Sequence, residues 1–380
     1  MRIVFVTEVY LPVTNGVVHV IQLASNELQK RGHTVHIIAP SPSGVHPKSN
    51  NVHYVPSLPF PGGSGYHLAF PTFSSAAQLI EKADIVHTHH PFTLGSWAQR
   101  ISQKIHKPFL FTNHTQYLNY THHIPIAGSL IKKPLSSYLA AFANNCTIVI
   151  APAEQTAIAL KDSGVTKPIQ IVPNGIEIER FTKGDGSRWR TSLGIPADKT
   201  ILLYTGRLAE EKNLEFLIRT VAGLKEQPHL VLVGDGPDKH RLEKLVNELG
   251  ANTHIHIAGK LNYHLMPDAY AGSDIYVTAS KTEVHPLTVI EAQAAGLPAI
   301  VVDAPGTAEI VENYKTGIIT AATDRAFGGA IRQLLDRPTL VSEFGKNAQQ
   351  TAKRFSVQAS VDSLLDTYQL AKRLAATNDN

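Results

Sequence analysis

Short runs of β-branched and aliphatic residues alternate with stretches of helical spacing along the whole chain, and this alternation restricts the fold to parallel sheets flanked by helices. In the first half the predicted strands are Ile3 to Thr7, Val35 to Ala39, Ile85 to His87, Phe109 to Thr112 and Ile148 to Ala151. Between the first two, Val17, Val20, Ile21, Ala24 and Leu28 recur at helical spacing and Gly32 ends the helix, which makes one βαβ unit. The pattern restarts at Thr200 to Thr205 and continues through His229 to Gly234, Ile255 to Gly259, Ile275 to Ala279 and Pro298 to Val302. With 380 residues, the chain exceeds one ordinary core. The expected class is therefore α/β, with two Rossmann-like domains: residues 1–173, a polar, glycine-containing connection at 174–196, and residues 197–356. No short fixed-period repeat is present, which excludes a solenoid.

Composition removes several function classes. A net charge of +4 without a dense Lys/Arg block or an interleaved aromatic stripe speaks against a nucleic-acid partner. It remains compatible with anionic substrates or an anionic membrane surface. No apolar run is long enough to cross a bilayer, and Glu8 interrupts the apolar start, so the first residues read as a strand and a cytoplasmic location is expected. The single cysteine, Cys146, has no disulfide partner in the chain and fits a reducing compartment. The Asn-X-Thr triplets at Asn113, Asn119 and Asn145 then read as chance matches.

The chemistry concentrates in loops that follow strands. In residues 281–296, Pro286 suits a first helical turn and Gly296 a C-terminal stop, so a helix is predicted over about 286–295. Glu283 then lies just before the helix and Glu291 in its second turn, with the free amides of Leu287 and Thr288 between them. Such an end attracts phosphate, and the two carboxylates could hold a sugar and a ribose on either side of a diphosphate. A helix start with one acidic loop residue and a half-buried glutamate is the plain alternative.

Three further loops occupy strand ends, where open parallel sheets bind ligands. Gly16, in Tyr10 to Val18, could let backbone approach an anion, although the segment does not match G-x-G-x-x-G and gives little support to a nicotinamide site. In Tyr204 to Asn213, Arg207 offers a guanidinium fork and Lys212 a point charge, a pair suited to two phosphates or else salt-bridged to Glu210 or Glu211. Gly234-Asp235-Gly236-Pro237 could bring backbone amides to a nucleotide, or form an ordinary turn. No Asp-X-Asp motif or carboxylate cluster suggests a divalent ion, so no metal or other cofactor is expected.

The Gly-Arg-x5-Lys loop at 206–212, Gly-Asp-Gly-Pro at 234–237, and Glu-x7-Glu leading to Ala-Gly-Leu-Pro at 295–298 together resemble the GT-B glycosyltransferases of family 4. The Tyr-x-Pro-x-x-Asn-Gly loop and Val-Pro-Asn-Gly-Ile at 172–176 also fit, and the likeness covers almost the entire chain. It implies two Rossmann-like domains facing a cleft, with the nucleotide sugar on the C-terminal domain, the acceptor on the N-terminal one, and metal-independent transfer with retention. Glu291 would bind ribose, Glu283 the donor sugar, and Arg207 with Lys212 the diphosphate; Gly16 would approach from the other domain. Gly234, Asp235, Pro286, Leu287 and Thr288 would complete the donor site. His114 matches the family's active-site histidine. The last helix, about 357–374, would cross back to the first domain. No double-displacement nucleophile is evident, so front-face attack is expected, the leaving phosphate helping to take the acceptor proton.

The segments His87 to Gly95 and Asn113 to Pro125 are similar to the diacylglycerol glucosyltransferase branch of the family. That likeness implies UDP-glucose as donor and a membrane lipid as acceptor, with His89, His90, Tyr117, His122 and His123 on the acceptor side. A zinc reading of His87, His89, His90, His114, His122 and His123 is disfavoured because their spacing matches no compact ligand set. Ile131 to Phe142, with two lysines and an apolar face, and the aromatic loop Pro59 to Phe70 could form a peripheral membrane surface; a core helix with exposed lysines is the alternative. Other acceptors are a soluble sugar, a polyol or a polysaccharide, and GDP-mannose is another donor. An epimerase or hydrolase of the same nucleotide sugar and a non-catalytic sugar-nucleotide binder are further readings, disfavoured by the joint presence of His114, Arg207, Lys212 and Glu283.

Overall fold

The computed structural model describes residues 1–41, 50–59, 67–70, 74–117 and 128–377. They divide into two compact units, Met1–Gly175 with the C-terminal helix, and Ile176–Ser356.

The first unit contains β1 (Arg2–Val6), β2 (Thr34–Pro40), β3 (Val52–Val55), β4 (Ser57–Pro59), β5 (His67–Ala69), β6 (Ile85–Thr88), β7 (Phe109–Thr112), β8 (Ile148–Ala151) and β9 (Ile169–Ile171). Seven of them form a parallel sheet in the order β3-β2-β1-β6-β7-β8-β9, while β4 and β5 pair as an antiparallel ribbon. Every residue of β6, β7 and β8 is buried, as expected of strands covered on both faces. The helix Val357–Thr377 belongs to this unit and places Val361, Leu364, Tyr368 and Ala371 in a core with Val18, Ile21 and Leu28 of the helix Gly16–Lys30.

The second unit contains β10 (Ile201–Thr205), β11 (His229–Val233), β12 (Ile255–Gly259), β13 (Ile275–Thr278), β14 (Ala299–Val302) and β15 (Gly317–Thr320), parallel in the order β12-β11-β10-β13-β14-β15. In each sheet the order reverses at one place, between β1 and β6 and between β10 and β13. Loops leaving the strands at such a point diverge and leave room for a ligand.

Segment 174–196 differs from the expected connection. It folds into the helices Ile178–Phe181 and Gly186–Leu193, and Phe181, Trp189 and Ile195 are buried in the core of the second unit. Its polar composition misleads because the few large apolar residues all point inward.

Candidate functional site

In the second unit β10 pairs with both β11 and β13, which sets the loops after these three strands side by side. Their close approach depends on glycine. Gly234 has φ +155°, and a Cβ there would stand 1.8 Å from the Gly206 carbonyl oxygen; at Gly236 a Cβ would meet the Leu208 carbonyl at 2.2 Å. Gly206 N donates to Val233 O at 3.0 Å and Leu208 N to Asp235 O at 2.9 Å, locking one loop to the other. Asp235 is exposed, and its carboxylate accepts from Gly236 N at 2.9 Å, so it shapes its own turn.

Lys212 stands at the end of a short 3-10 turn, Glu210–Lys212, and reaches across to the loop after β13, where Nζ meets Glu283 Oε1 at 2.6 Å. Glu283 was not among the carboxylates weighed for Lys212. Both partners are largely buried, with 15% and 20% of their side chains exposed. A Cβ on Gly306 would strike the Glu283 carbonyl at 2.2 Å, so that glycine lets the loop sit down on its neighbour. Arg207 is exposed and makes no ion pair among the described residues.

Pro286 is the N-cap of the helix Leu287–Ala294, close to the predicted bounds, and Gly296 follows it at φ +85°. Tyr276 Oη donates to Thr288 Oγ1 at 2.9 Å and fixes the first turn. Glu291 is buried, and its carboxylate accepts from Tyr270 Oη at 2.8 Å and Tyr263 Oη at 3.2 Å. Burial pushes its pKa up to about 7, opposed by the two tyrosine hydroxyls and the charge of Arg180. Arg180 itself stacks on Tyr263 at 4.8 Å from the ring centroid. Neither tyrosine was anticipated; an aromatic hydroxyl remote in sequence gives no local signal that it will meet a buried carboxylate.

A hollow of about 630 Å³ in this unit, lined by Glu210, Glu215, Arg219, Asp238 and Arg241 among others, contains none of Arg207, Lys212, Glu283 and Glu291. Glu215, Arg219, Asp238 and Arg241 there are paired with one another.

In the first unit Asn15 caps the helix Gly16–Lys30 by accepting from Val18 N at 2.9 Å, which leaves Gly16 exposed at the helix start. The corresponding helix after β6, Thr93–Lys104, is closed instead: the buried Glu8 accepts from Leu94 N at 2.6 Å, Gly95 N at 3.2 Å and Thr93 Oγ1 at 2.8 Å. In the sequence Glu8 shows only as an interruption of an apolar run. The carboxylate does here what a bound anion would do.

The histidines depart from the expected acceptor surface. His90 is buried, with Nδ1 3.2 Å from Thr7 Oγ1 and taking an N–H from Glu8 at 3.3 Å. His89, 2% exposed, is also interior: its Nδ1 lies 2.9 Å from His114 Nε2, and the two rings stack. The reason is register. His89 follows β6 and His114 follows β7, and because these strands are paired neighbours their ends converge. His87 lies under His89 with ring centroids 4.4 Å apart, its nitrogens held by Tyr368 Oη at 2.8 Å and Thr112 Oγ1 at 2.7 Å. Burial drives all four imidazoles down, His87 to about 3, His90 to about 4, and His89 and His114 well below the ordinary value, so they are neutral at pH 7. Tyr117 is half-buried, edge-on to Phe92. His122 and His123 lie outside the described residues.

Of the two segments considered for a membrane surface, Ile131 to Phe142 lies in the helix Gly128–Asn144, where Phe142 packs against Phe109 and Phe111 while Lys133 and Tyr138 are exposed. The described part of the other, Pro59 and residues 67–70, exposes Leu68 and Phe70, and Leu58 just before it is exposed as well. Among the described residues no helix is long and apolar enough to cross a membrane.

The chain is similar to known glycosyltransferases along most of its length. Residues 14–180 match the model of Glycosyltransferase Family 4, and residues 185–351 match that of Glycosyl transferases group 1. The alpha-monoglucosyldiacylglycerol synthase of Acholeplasma laidlawii is 28% identical over 97% of this chain and 96% of its own. EpsD of Bacillus subtilis, named provisionally as a glycosyltransferase, is 30% identical over 75% of this chain and 76% of its own. The crystal structure of Anabaena HepE in complex with UDP superimposes with a TM-score of 0.80 at 19% identity, over 97% of this chain and all of that one.

Proposed function

The chain belongs to the family 4 glycosyltransferases of GT-B fold, and from that premise we propose that it moves glucose from UDP-glucose to a membrane lipid of the diacylglycerol type, with retention and without an essential metal. The observation that carries the donor half is the Lys212–Glu283 pair beside the open start of the helix Leu287–Ala294. It sets a cation for a leaving diphosphate, a carboxylate for sugar hydroxyls and free amides for phosphate within neighbouring loops. Arg207, exposed on the same loop as Lys212, adds a second cation, and Glu291 accepts from the ribose. The acceptor half rests on the likeness to the Acholeplasma synthase along nearly the full length of both chains. Exposed Leu58, Leu68 and Phe70 supply an apolar edge suited to a peripheral hold on the inner face of an anionic membrane.

In the proposed reaction the acceptor hydroxyl attacks the anomeric carbon from the face that UDP leaves. The bond to the diphosphate breaks, the new glycosidic bond forms on the same face, and a phosphate oxygen takes the hydroxyl proton. Lys212 and Arg207 neutralise the charge that grows on the departing diphosphate. His114, in the first unit, is the substrate contact proposed there.

The test is incubation with sugar-labelled UDP-glucose, with and without diacylglycerol in anionic mixed micelles, followed by organic extraction. Label in the lipid phase only when protein and diacylglycerol are both present is the expected result. Donor binding with no lipid label would overturn the acceptor assignment and direct the search to soluble acceptors and GDP-mannose.

A further inference from the structure

We propose that His89 is a positioning residue that sets the tautomer of His114, so that His114 offers its Nδ1–H as a donor to a substrate oxygen. The proposal rests on the functional reading above for the existence of that substrate, and on the geometry of the first unit for everything else.

The contact between His89 Nδ1 and His114 Nε2 is 2.9 Å long and joins two ring nitrogens, so one must carry hydrogen and the other a lone pair. A neutral imidazole has a single N–H, and burial keeps both rings neutral. Two arrangements therefore exist. If His114 donates, the only hydrogen of His89 sits on Nε2, a buried atom with no partner among the described residues. If His89 donates, that atom is a bare lone pair, and the hydrogen of His114 sits on Nδ1, which is not among the buried unpartnered atoms and belongs to a partly exposed ring open to water or substrate. An orphaned buried N–H is the rarer and costlier defect. The second arrangement is favoured, and it turns His114 into a donor on the side away from His89.

The ring of His89 has little freedom to reverse this. His87 packs against it with the ring planes tilted by 33°, and Phe5 meets it edge-on at 5.0 Å. His87 is itself pinned at both nitrogens, by Tyr368 from the C-terminal helix and by Thr112 from β7.

Nitrogen-15 spectra of histidine-labelled protein, with the His114 signals assigned by their loss in His114→Gln, are expected to show Nδ1–H on His114 in the full chain. In His89→Leu the His114 signals are expected to move toward the Nε2–H form, and turnover to fall about 10- to 100-fold, the usual cost of removing a partner that orients a functional imidazole, with UDP affinity unchanged. His89→Asn, whose amide nitrogen stands near the lost Nδ1, is expected to restore both readouts to within several-fold. An Nε2–H tautomer on His114 in the unaltered protein would overturn the proposal without any variant, so a folding failure of His89→Leu cannot shelter it. Full turnover by folded His89→Leu with an unmoved tautomer would overturn it as well. If the unaltered protein transfers no sugar from UDP-glucose or GDP-mannose, the functional reading fails while the spectra still decide the tautomer.

Discussion

Glu291 shows how a buried carboxylate can be tuned by aromatic hydroxyls. With its pKa raised to about 7, it is half ionised near neutrality. In the proposed donor site ribose hydroxyls would donate hydrogen bonds to it and so favour the ionised form; donor KM is expected to fall as pH rises from 6 to 8, and a Glu291→Gln variant to lose that slope. Steady-state KM for UDP-glucose across this range checks it. The sign for stability is opposite. The folded state holds its proton more tightly than an unfolded chain, whose glutamates titrate near the ordinary 4.5, so this group's favourable contribution is full below about 4.5 and is lost as pH rises through about 7. Lys212 sits in a different balance, because the structure gives it a carboxylate neighbour rather than a free position. Lys212→Ala is expected to lower kcat/KM by about 2 to 4 kcal/mol of transition-state stabilisation. Because Lys212 and Glu283 share one ion pair, a Lys212→Ala/Glu283→Ala double variant should cost less than the sum of the singles. Turnover at the wild-type rate by folded Lys212→Ala would remove it from the leaving-group site. Glu-x7-Glu and Gly-Arg-x5-Lys were readable in the sequence as separate motifs; that Lys212 meets Glu283 was not, since the two are joined only through the pairing of β10 with β13.

At the scale of elements, the long predicted strands stand where expected, because a fully buried parallel strand must be a continuous apolar run. The strands without a clear signal lie toward the sheet edges. Val52–Val55 alternates with His53 and Tyr54, Ile169–Ile171 is interrupted by Gln170, and β15 opens on Gly317, where a Cβ would stand 2.0 Å from the Ala299 carbonyl. An edge strand has a neighbour on one side only and tolerates polar or absent side chains, which erases the pattern that marks a central one. The glycine contacts yield a direct test. Gly234→Ala combines a positive φ with a collision against the Gly206 carbonyl, and is expected to destabilise the second unit by roughly 2 to 3 kcal/mol and to weaken UDP binding. Calorimetry with UDP titration measures both. An unchanged melting temperature would mean that the two loops separate without cost.

Across the whole molecule, the C-terminal helix completes a unit begun at the other end of the chain. Val361, Leu364 and Tyr368 are fully or nearly buried there, at about 1.5 to 3 kcal/mol for each large side chain, which is comparable to the entire stability of a domain. Truncation after Ser356 is therefore expected to abolish cooperative unfolding of the first unit while the second still melts as a unit. Two transitions in the truncated protein would refute that. Removal of Tyr368 also frees His87, so a helix remote in sequence reaches the imidazole stack. The sequence by itself determined the α/β class, the two-unit division, the helix behind Pro286 and the strand-end loops that carry Gly206, Gly234 and Glu283, because periodicity, proline and glycine act locally. Only the tertiary structure decided that 176–196 packs into a core, that His89 and His90 are interior, and that Glu291 answers to two tyrosines. Each of these depends on which strands become neighbours, and hydrogen bonds and burial between residues distant in the chain exist only after that choice is made.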